Sequence, residues 1–322
     1  MNPTHRLALV ASAISVLAAC ESRVTGNEGN FEFSYQTDDR IFDFNKPIAV
    51  GAFLDIDVED ATDQAPIQLT EAKVDDPSLE VAAISGNTVT VQGAAEGNVL
   101  LEVTGAPDGG ESASDSVNLT VRVPDHHGLR HSCGEDGQVA YRTGTQPYVA
   151  YDLTLDSGDP VIGYGYYPVT LSAGSLDTDF QGHQYMRLDL TGVAAGTATL
   201  QSDLDGTSLE LVLVDESAID GAAEPIPFVL EDIDVGDRNP FYVRPMVGDR
   251  TVCQAAVDMT VSSDTPAICS VRNASSIAGA STDAGKETGW FEIEGVSEGL
   301  CAYTVTYTGA GASASFSYPI QP

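Results

Sequence analysis

Positive charge is scarce: 14 Lys plus Arg stand against 48 Asp plus Glu in 322 residues, a formal net charge of −34. A chain this acidic lacks the clustered cations that neutralise phosphates, so DNA and RNA are excluded as partners. A bare anionic lipid surface would repel it too. Tryptophan occurs once, and no stretch shows the apolar spacing of three and four residues that marks an amphipathic helix. The five cysteines contain no C-x-x-C pair, which removes the spacing of a zinc site or a thioredoxin-like centre. Enzyme signatures are missing as well: there is no G-x-S-x-G elbow, no H-E-x-x-H and no dinucleotide fingerprint. GASTDAGKE at 279–287 fails as a phosphate loop, because five residues separate its glycines and Glu287 follows Lys286. A non-catalytic protein is expected, with no catalytic residue to nominate.

What is present begins at the N-terminus. Met1 to Arg6 is a short basic region, and Leu7 to Ala19 runs without a charge. That is signal-peptide length and too short for a membrane span, which needs about 20 apolar residues. The run ends in Leu17-Ala18-Ala19-Cys20, which resembles the lipobox of bacterial lipoprotein signals. The resemblance implies diacylglycerol on the Cys20 sulfur, cleavage before Cys20, and acylation of the new amine, palmitate being a typical chain. Each buried methylene contributes roughly 0.8 kcal/mol, so several chains anchor durably. Glu21 in place of Asp at the next position implies the outer membrane.

Glycine 31, proline 16 and abundant Thr, Val and Ser point to strands and turns. An internal repeat gives the organisation. VQGAAEGNVLLEVTG at 91–105, LTGVAAGTATLQSD at 190–203 and IEGVSEGLCAYTVTY at 293–307 share a Gly, three residues, a second Gly and an alternating strand. The glycine pairs are Gly93 and Gly97, Gly192 and Gly196, and Gly295 and Gly299. The period is about a hundred residues, the size of one β-sandwich domain. Each unit closes on strict alternation: Val117, Leu119, Val121 and Val123; Leu209, Leu211 and Leu213; Phe316, Tyr318 and Ile320. In FLDIDVED, Leu54, Ile56 and Val58 should face a core, and Asp55, Asp57 and Glu59 water. The glycine motif is expected to mark a hairpin corner that needs positive φ.

The fold class expected is therefore all-β, with three tandem immunoglobulin-like β-sandwich domains. The boundaries read are a signal peptide at 1–19, a lipidated flexible tether at 20–40, and domains at 41–124, 125–217 (divergent) and 222–322. Pro124 to Gly128 and Ala218 to Pro227 serve as linkers. The pattern resembles the bacterial immunoglobulin-like repeats of invasin- and intimin-type surface proteins. It does so through Ala49-Val50-Gly51 and Asp75-Asp76-Pro77-Ser78-Leu79 in the first unit, and through Met246-Val247-Gly248 and SSDTPAICSV at 262–271 in the third. The middle unit keeps only the glycine stretch.

With Cys20 assigned to lipid, Cys133, Cys253, Cys269 and Cys301 remain, an even number in an exported chain, which favours disulfides. Cys269 to Cys301 is the first choice, since both share parity with inward residues, and leaves Cys253 for Cys133. Cys253 to Cys301 is the second, because a sandwich often joins an early strand to a late one. HHGLRHSC at 126–133 offers imidazoles at no standard metal spacing and reads as a polar linker. Asp203 and Asp205 in a DLDG turn are weak calcium candidates that supply only the last half of a calcium loop; no other metal or cofactor is expected. Seven of the 12 tyrosines fall in the middle unit. Within GYGYYP, Tyr164 and Tyr166 are expected on one strand face and Tyr167 on the other, an aromatic platform for sugar rings. Two functions compete: a membrane-anchored adhesion or spacer module with an unknown protein or glycan partner, and a carbohydrate- or envelope-binding lipoprotein centred on those tyrosines.

Overall fold

The computed structural model describes residues 23–36, 46–228, 232–255, 257–273 and 289–322. The N-terminal run with Cys20 and the 279–287 segment lie outside the described residues. Alternation along the chain produces the strands it should. Phe53–Asp60 buries Leu54, Ile56 and Val58 completely and leaves Asp55, Asp57 and Glu59 partly exposed.

The first sandwich places Arg23–Thr25, Phe31–Tyr35, Phe53–Asp60, Thr88–Gly93 and Leu79–Ser85 side by side in that order. Facing this sheet are Ile48–Ala49, Ala113–Arg122, Gly97–Pro107 and Ile67–Val74. Read along the chain, one sheet holds the first, second, fifth and fourth main strands, and the other holds the third, sixth and seventh, with a short strand laid parallel on the last. That is the strand order of an immunoglobulin constant-type domain. Phe31, Phe33, Leu54, Ile56 and Val91 from one sheet meet Val99, Leu101, Val103 and Leu119 from the other. Full burial of each such side chain contributes about 1.5–3 kcal/mol.

The same order recurs twice. In the middle sandwich, His126–His131, Tyr148–Thr154, Tyr185–Asp189 and Ser175–Asp177 form one sheet, and Val139–Arg142, Ser208–Val214, Gly196–Ser202 and Val169–Leu171 the other. In the third, Ile226–Pro227, Arg238–Tyr242, Trp290–Gly295 and Cys269–Asn273 lie opposite Ile233–Asp234, Ala312–Gln321, Gly299–Tyr307 and Met259–Ser263. The chain is thus all-β, built of immunoglobulin-like sandwiches, and even the divergent middle unit keeps the topology.

By compactness the chain forms two units. One holds the described residues up to His126 with Leu153–Tyr166 and Gln181–His183; the other holds His127–Asp152, Tyr167–Phe180 and Gln184–Pro322. The connection between the second and third main strands explains this grouping. In the middle sandwich it runs out as far as Tyr166 and pairs with the first sandwich; in the third it runs out as Pro245–Val247 and Arg250–Cys253 and extends the middle sheet to seven strands.

Four expectations are corrected. Arg23–Thr25 and Phe31–Tyr35 are strands, not tether, because Phe31, Phe33 and Tyr35 alternate into the core. Pro124 to Gly128 and Ala218 to Pro227 are no pure linkers, since a strand starts at His126 and Gly221–Ala222 and Ile226–Pro227 are strands. Val123 is 47% exposed, because its strand ends at Arg122. The glycine motif is no hairpin corner: Thr88–Gly93 and Gly97–Pro107 belong to different sheets, and the motif carries the chain across the sandwich. In the first and third units its first glycine answers to close approach. A Cβ on Gly93 would lie 2.5 Å from the Ala49 carbonyl oxygen, and one on Gly295 would lie 2.6 Å from that of Asp234. Positive φ appears at Gly192, the first glycine of the middle unit, at 73°, and at the second glycines Gly196 and Gly299, at 150° and 144°.

Candidate functional site

The tyrosines of GYGYYP do not share a strand. Pro160–Val161 is only two residues long, and Gly163 and Gly165, at φ 133° and 76°, turn the chain so that the period of two is lost. Tyr164 lies in the first unit, 6% exposed. Its backbone exchanges hydrogen bonds with Phe53, N to O and O to N, both at 2.8 Å. Its ring stacks on Phe53 with centroids 5.9 Å apart, and its hydroxyl donates to the Asp55 carboxylate at 3.2 Å. Tyr166, half-buried, lies against Gly51, where a Cβ would stand 2.7 Å from the Tyr166 ring. Tyr167 belongs to the second unit, where its hydroxyl donates to the Phe180 carbonyl at 2.7 Å and its ring meets Tyr151 edge-on. All three serve packing contacts in this arrangement.

The acidic turns are tied up by the backbone. Asp205 accepts the N–H of His127 at 3.0 Å and of Thr207 at 2.9 Å, and these bonds hold its carboxyl well below the usual carboxylate range. Asp203 accepts the Thr170 hydroxyl at 3.1 Å. Among the described residues no group of three or more His, Cys, Asp or Glu side chains is placed to hold a metal ion.

The histidines of 126–133 point in different directions along their strand. His126 meets Asp156 at 3.0 Å in the open, and His131 shares a hydrogen bond with the Tyr141 hydroxyl at 2.9 Å. His127 is 2% exposed beside Tyr151, and both its ring nitrogens are buried without a hydrogen-bond partner among the described residues. Burial pushes its pKa down to about 4, against the pull of Asp205, Asp152 and Asp203.

The four cysteines form two disulfides. Cys269 and Cys301 are joined with Cα atoms 5.5 Å apart, both fully buried in the core of the third sandwich. Cys133 and Cys253 are joined with Cα atoms 5.9 Å apart. The second bond fastens the connection of the third sandwich to the middle one, beside the parallel pairing of Val139–Arg142 with Arg250–Cys253.

Two features escaped sequence reading. Asp115 shares the parity of Val117 and Leu119 and so points inward, 1% exposed. It accepts the N–H groups of Glu28, Asn30, Phe31 and Ser116 at 2.7–2.9 Å and clamps the turn between the first two strands. Burial disfavours its charge, but these bonds outweigh that effect and hold its pKa below the ordinary value. The acid inside an apolar stripe was the available signal. The second feature is edge coverage. Ile162 donates to the Pro47 carbonyl at 2.9 Å and accepts from the Ala49 N–H at 2.8 Å, so the short strand Ile48–Ala49 is paired on its outer side. Val139–Arg142, its counterpart in the middle sandwich, is covered by Arg250–Cys253, with Thr251 donating to Gln138 at 2.9 Å. Edge strands left open pair with foreign chains, and covering them is a common protection.

No family model matches the chain, and no curated protein matches it. Solved structures do resemble it. The surface layer protein SbsC, domains 4–9, is 13% identical with a TM-score of 0.28, over 90% of this chain and 47% of that one. This chain therefore spans about half of that structure. A Bacteroides ovatus SGBP-B from a mixed-linkage glucan utilization locus, solved with a heptasaccharide, is 11% identical with a TM-score of 0.27, over 90% and 70%. Invasin, a bacterial integrin-binding protein, is 11% identical with a TM-score of 0.23, over 90% and 60%. At these scores the likenesses add nothing to the sheet order, and the immunoglobulin-like assignment rests on that order.

Proposed function

We propose that this chain is an exported lipoprotein, held in the bacterial envelope through Cys20, whose tandem acidic sandwiches act as an adhesion or spacer module rather than as an enzyme. The carrying observation is the uncharged run that ends in Leu17-Ala18-Ala19-Cys20. Two disulfides among the four remaining cysteines support an oxidising compartment. A net charge of −34 suits a module that must stay clear of anionic surfaces and of itself. Spacing or adhesion is preferred over sugar stacking because Tyr164 is only 6% exposed and is engaged by Phe53 and Asp55.

The test is metabolic labelling with a palmitate analogue in a cell that processes lipoproteins. Label and membrane fractionation should both follow the chain and both vanish in Cys20→Ser. A wild-type chain that carries no label, or a label that survives Cys20→Ser, overturns the anchor. Glycan arrays probed with residues 21–322 should give no signal that depends on Tyr164 and Tyr166. A signal lost in Tyr164→Ala or Tyr166→Ala would reinstate the carbohydrate reading.

A further inference from the structure

The third sandwich repeats the edge that the other two cover. Ile233–Asp234 lies parallel to Ala312–Gln321, with Ile233 opposite Ile320, as Ile48 lies opposite Val121 in the first sandwich. Gly299 opposite Ile320 and Gly97 opposite Val121 confirm the correspondence. Val235 donates to the Gln321 carbonyl at 3.1 Å, as Val50 donates to that of Arg122 at 2.9 Å. Successive N–H groups on a strand point to opposite sides. The N–H of Asp234 is therefore the counterpart of the Ala49 N–H, which Ile162 takes up.

Among the described residues no strand pairs with that outer side, for Ile233–Asp234 ends its sheet. Exposure agrees. Ala49 and Ala140 are fully buried under their covering segments, whereas Asp232 and Asp234 are exposed and Val235 is 46% exposed. Val296, set next to Val235 by the bridge from Val235 to Gly295, is 48% exposed. Two neighbouring branched apolar side chains thus stand in water beside the Asp234 N–H, which no strand among the described residues takes up.

The two covering segments share a form. Gly158-Asp159-Pro160-Val161-Ile162 and Gly248-Asp249-Arg250-Thr251-Val252 each start at a glycine with positive φ and run parallel to the strand they cover. Both are engaged within this chain, so a second copy has neither to offer. We infer that Ile233–Asp234 is a docking edge for a segment of this kind from a partner sandwich: an extended stretch that ends on two adjacent apolar residues, as Val161-Ile162 and Val252-Cys253 do, added in parallel. Backbone hydrogen bonds would supply affinity, and the Val235 and Val296 patch the side-chain pocket. Asp232, Asp234 and Asp237 disfavour an acidic partner and favour a neutral or cationic one, as Arg250 illustrates in the middle sandwich.

The inference does not depend on lipid anchoring, and its test is separate. Residues 21–322, which hold every strand described, are titrated with a labelled peptide copying residues 247–254 with Cys253→Ser, beside a scrambled control. Expected is saturable binding below about 1 mM, with amide shifts at Asp234 and Val235. Asp234→Pro removes the one N–H needed and should weaken binding at least about tenfold with the thermal midpoint unchanged. Should that variant unfold, Val235→Lys must give the same loss. No binding at about 1 mM, or binding indifferent to both substitutions, overturns the proposal. So does concentration-dependent dimerisation that Val235→Lys abolishes, which would assign the edge to a second copy.

Discussion

The Asp115 carboxylate accepts the backbone N–H of Phe31 at 2.7 Å inside the first sandwich, 84 residues away in sequence. One acid from the last strand thereby fixes the turn that starts the domain. Asp115→Asn keeps one acceptor but sets amide hydrogens against N–H donors. We expect it to cost about 2–4 kcal/mol, read as a lower midpoint in urea unfolding. The folded pKa is depressed, so this contribution is complete above the unfolded value near 3.8 and is lost as pH falls through the folded pKa. The variant should accordingly lose the corresponding part of the acid transition. A midpoint equal to wild type would show that the turn holds without its clamp.

His127 predicts a second, milder window. Its folded pKa near 4 lies below the ordinary 6.5, so the neutral ring stabilises the fold above pH 6.5 and that contribution drains away between about 6.5 and 4. His127→Phe should flatten thermal stability across that interval by on the order of 1–3 kcal/mol. A slope that persists in the variant assigns the effect to other groups.

The two disulfides close segments of 120 and 32 residues. In the chain-entropy treatment they contribute about 5 and about 4 kcal/mol. Peptide mapping without reductant should recover Cys133 with Cys253 and Cys269 with Cys301. Cys269→Ala with Cys301→Ala should lower the unfolding midpoint of the third sandwich. Recovery of Cys253 with Cys301 would contradict the pairing.

Gly51, at φ 90°, faces the Tyr166 ring at a distance that leaves no room for a Cβ. Gly51→Ala should cost about 1–3 kcal/mol, from backbone strain and displacement of the ring. Tyr166→Ala in the same chain should recover part of that loss, and the double-mutant cycle measures the coupling. Additive effects would mean that the two do not meet.

Covering of the Ile48–Ala49 edge should matter for solubility as well as stability. Ile162→Pro removes the N–H that Pro47 accepts, and so opens the edge. The expected result is slow, concentration-dependent association followed by light scattering. A monomer at all concentrations would show that the edge is protected by other means.

Much of the fold was legible because strand formation is a local matter of alternation. Leu54, Ile56 and Val58 could be assigned to a core from eight residues alone. The turn at Gly163 and Gly165 was not, because three tyrosines in four residues imitate a strand when the neighbouring φ angles are unknown. Asp115 stayed hidden for a related reason: parity says that a side chain points inward, but not that the N–H groups of Glu28, Asn30 and Phe31, 84 to 87 residues away, will meet it.

From residue order alone came the repeat, its period, the two-layered strand character, the acidity and the resemblance of Leu17-Ala18-Ala19-Cys20 to a lipobox. All of these depend on neighbours a few positions apart or on simple counts. Which sheet each strand joins, which sulfurs meet, and how a connection leaves its own sandwich to pair with Ile48 or Ala140 were decided by tertiary structure. Those outcomes depend on backbone groups seeking hydrogen bonds across long sequence separations. Side-chain periodicity carries no record of which distant edge will supply them.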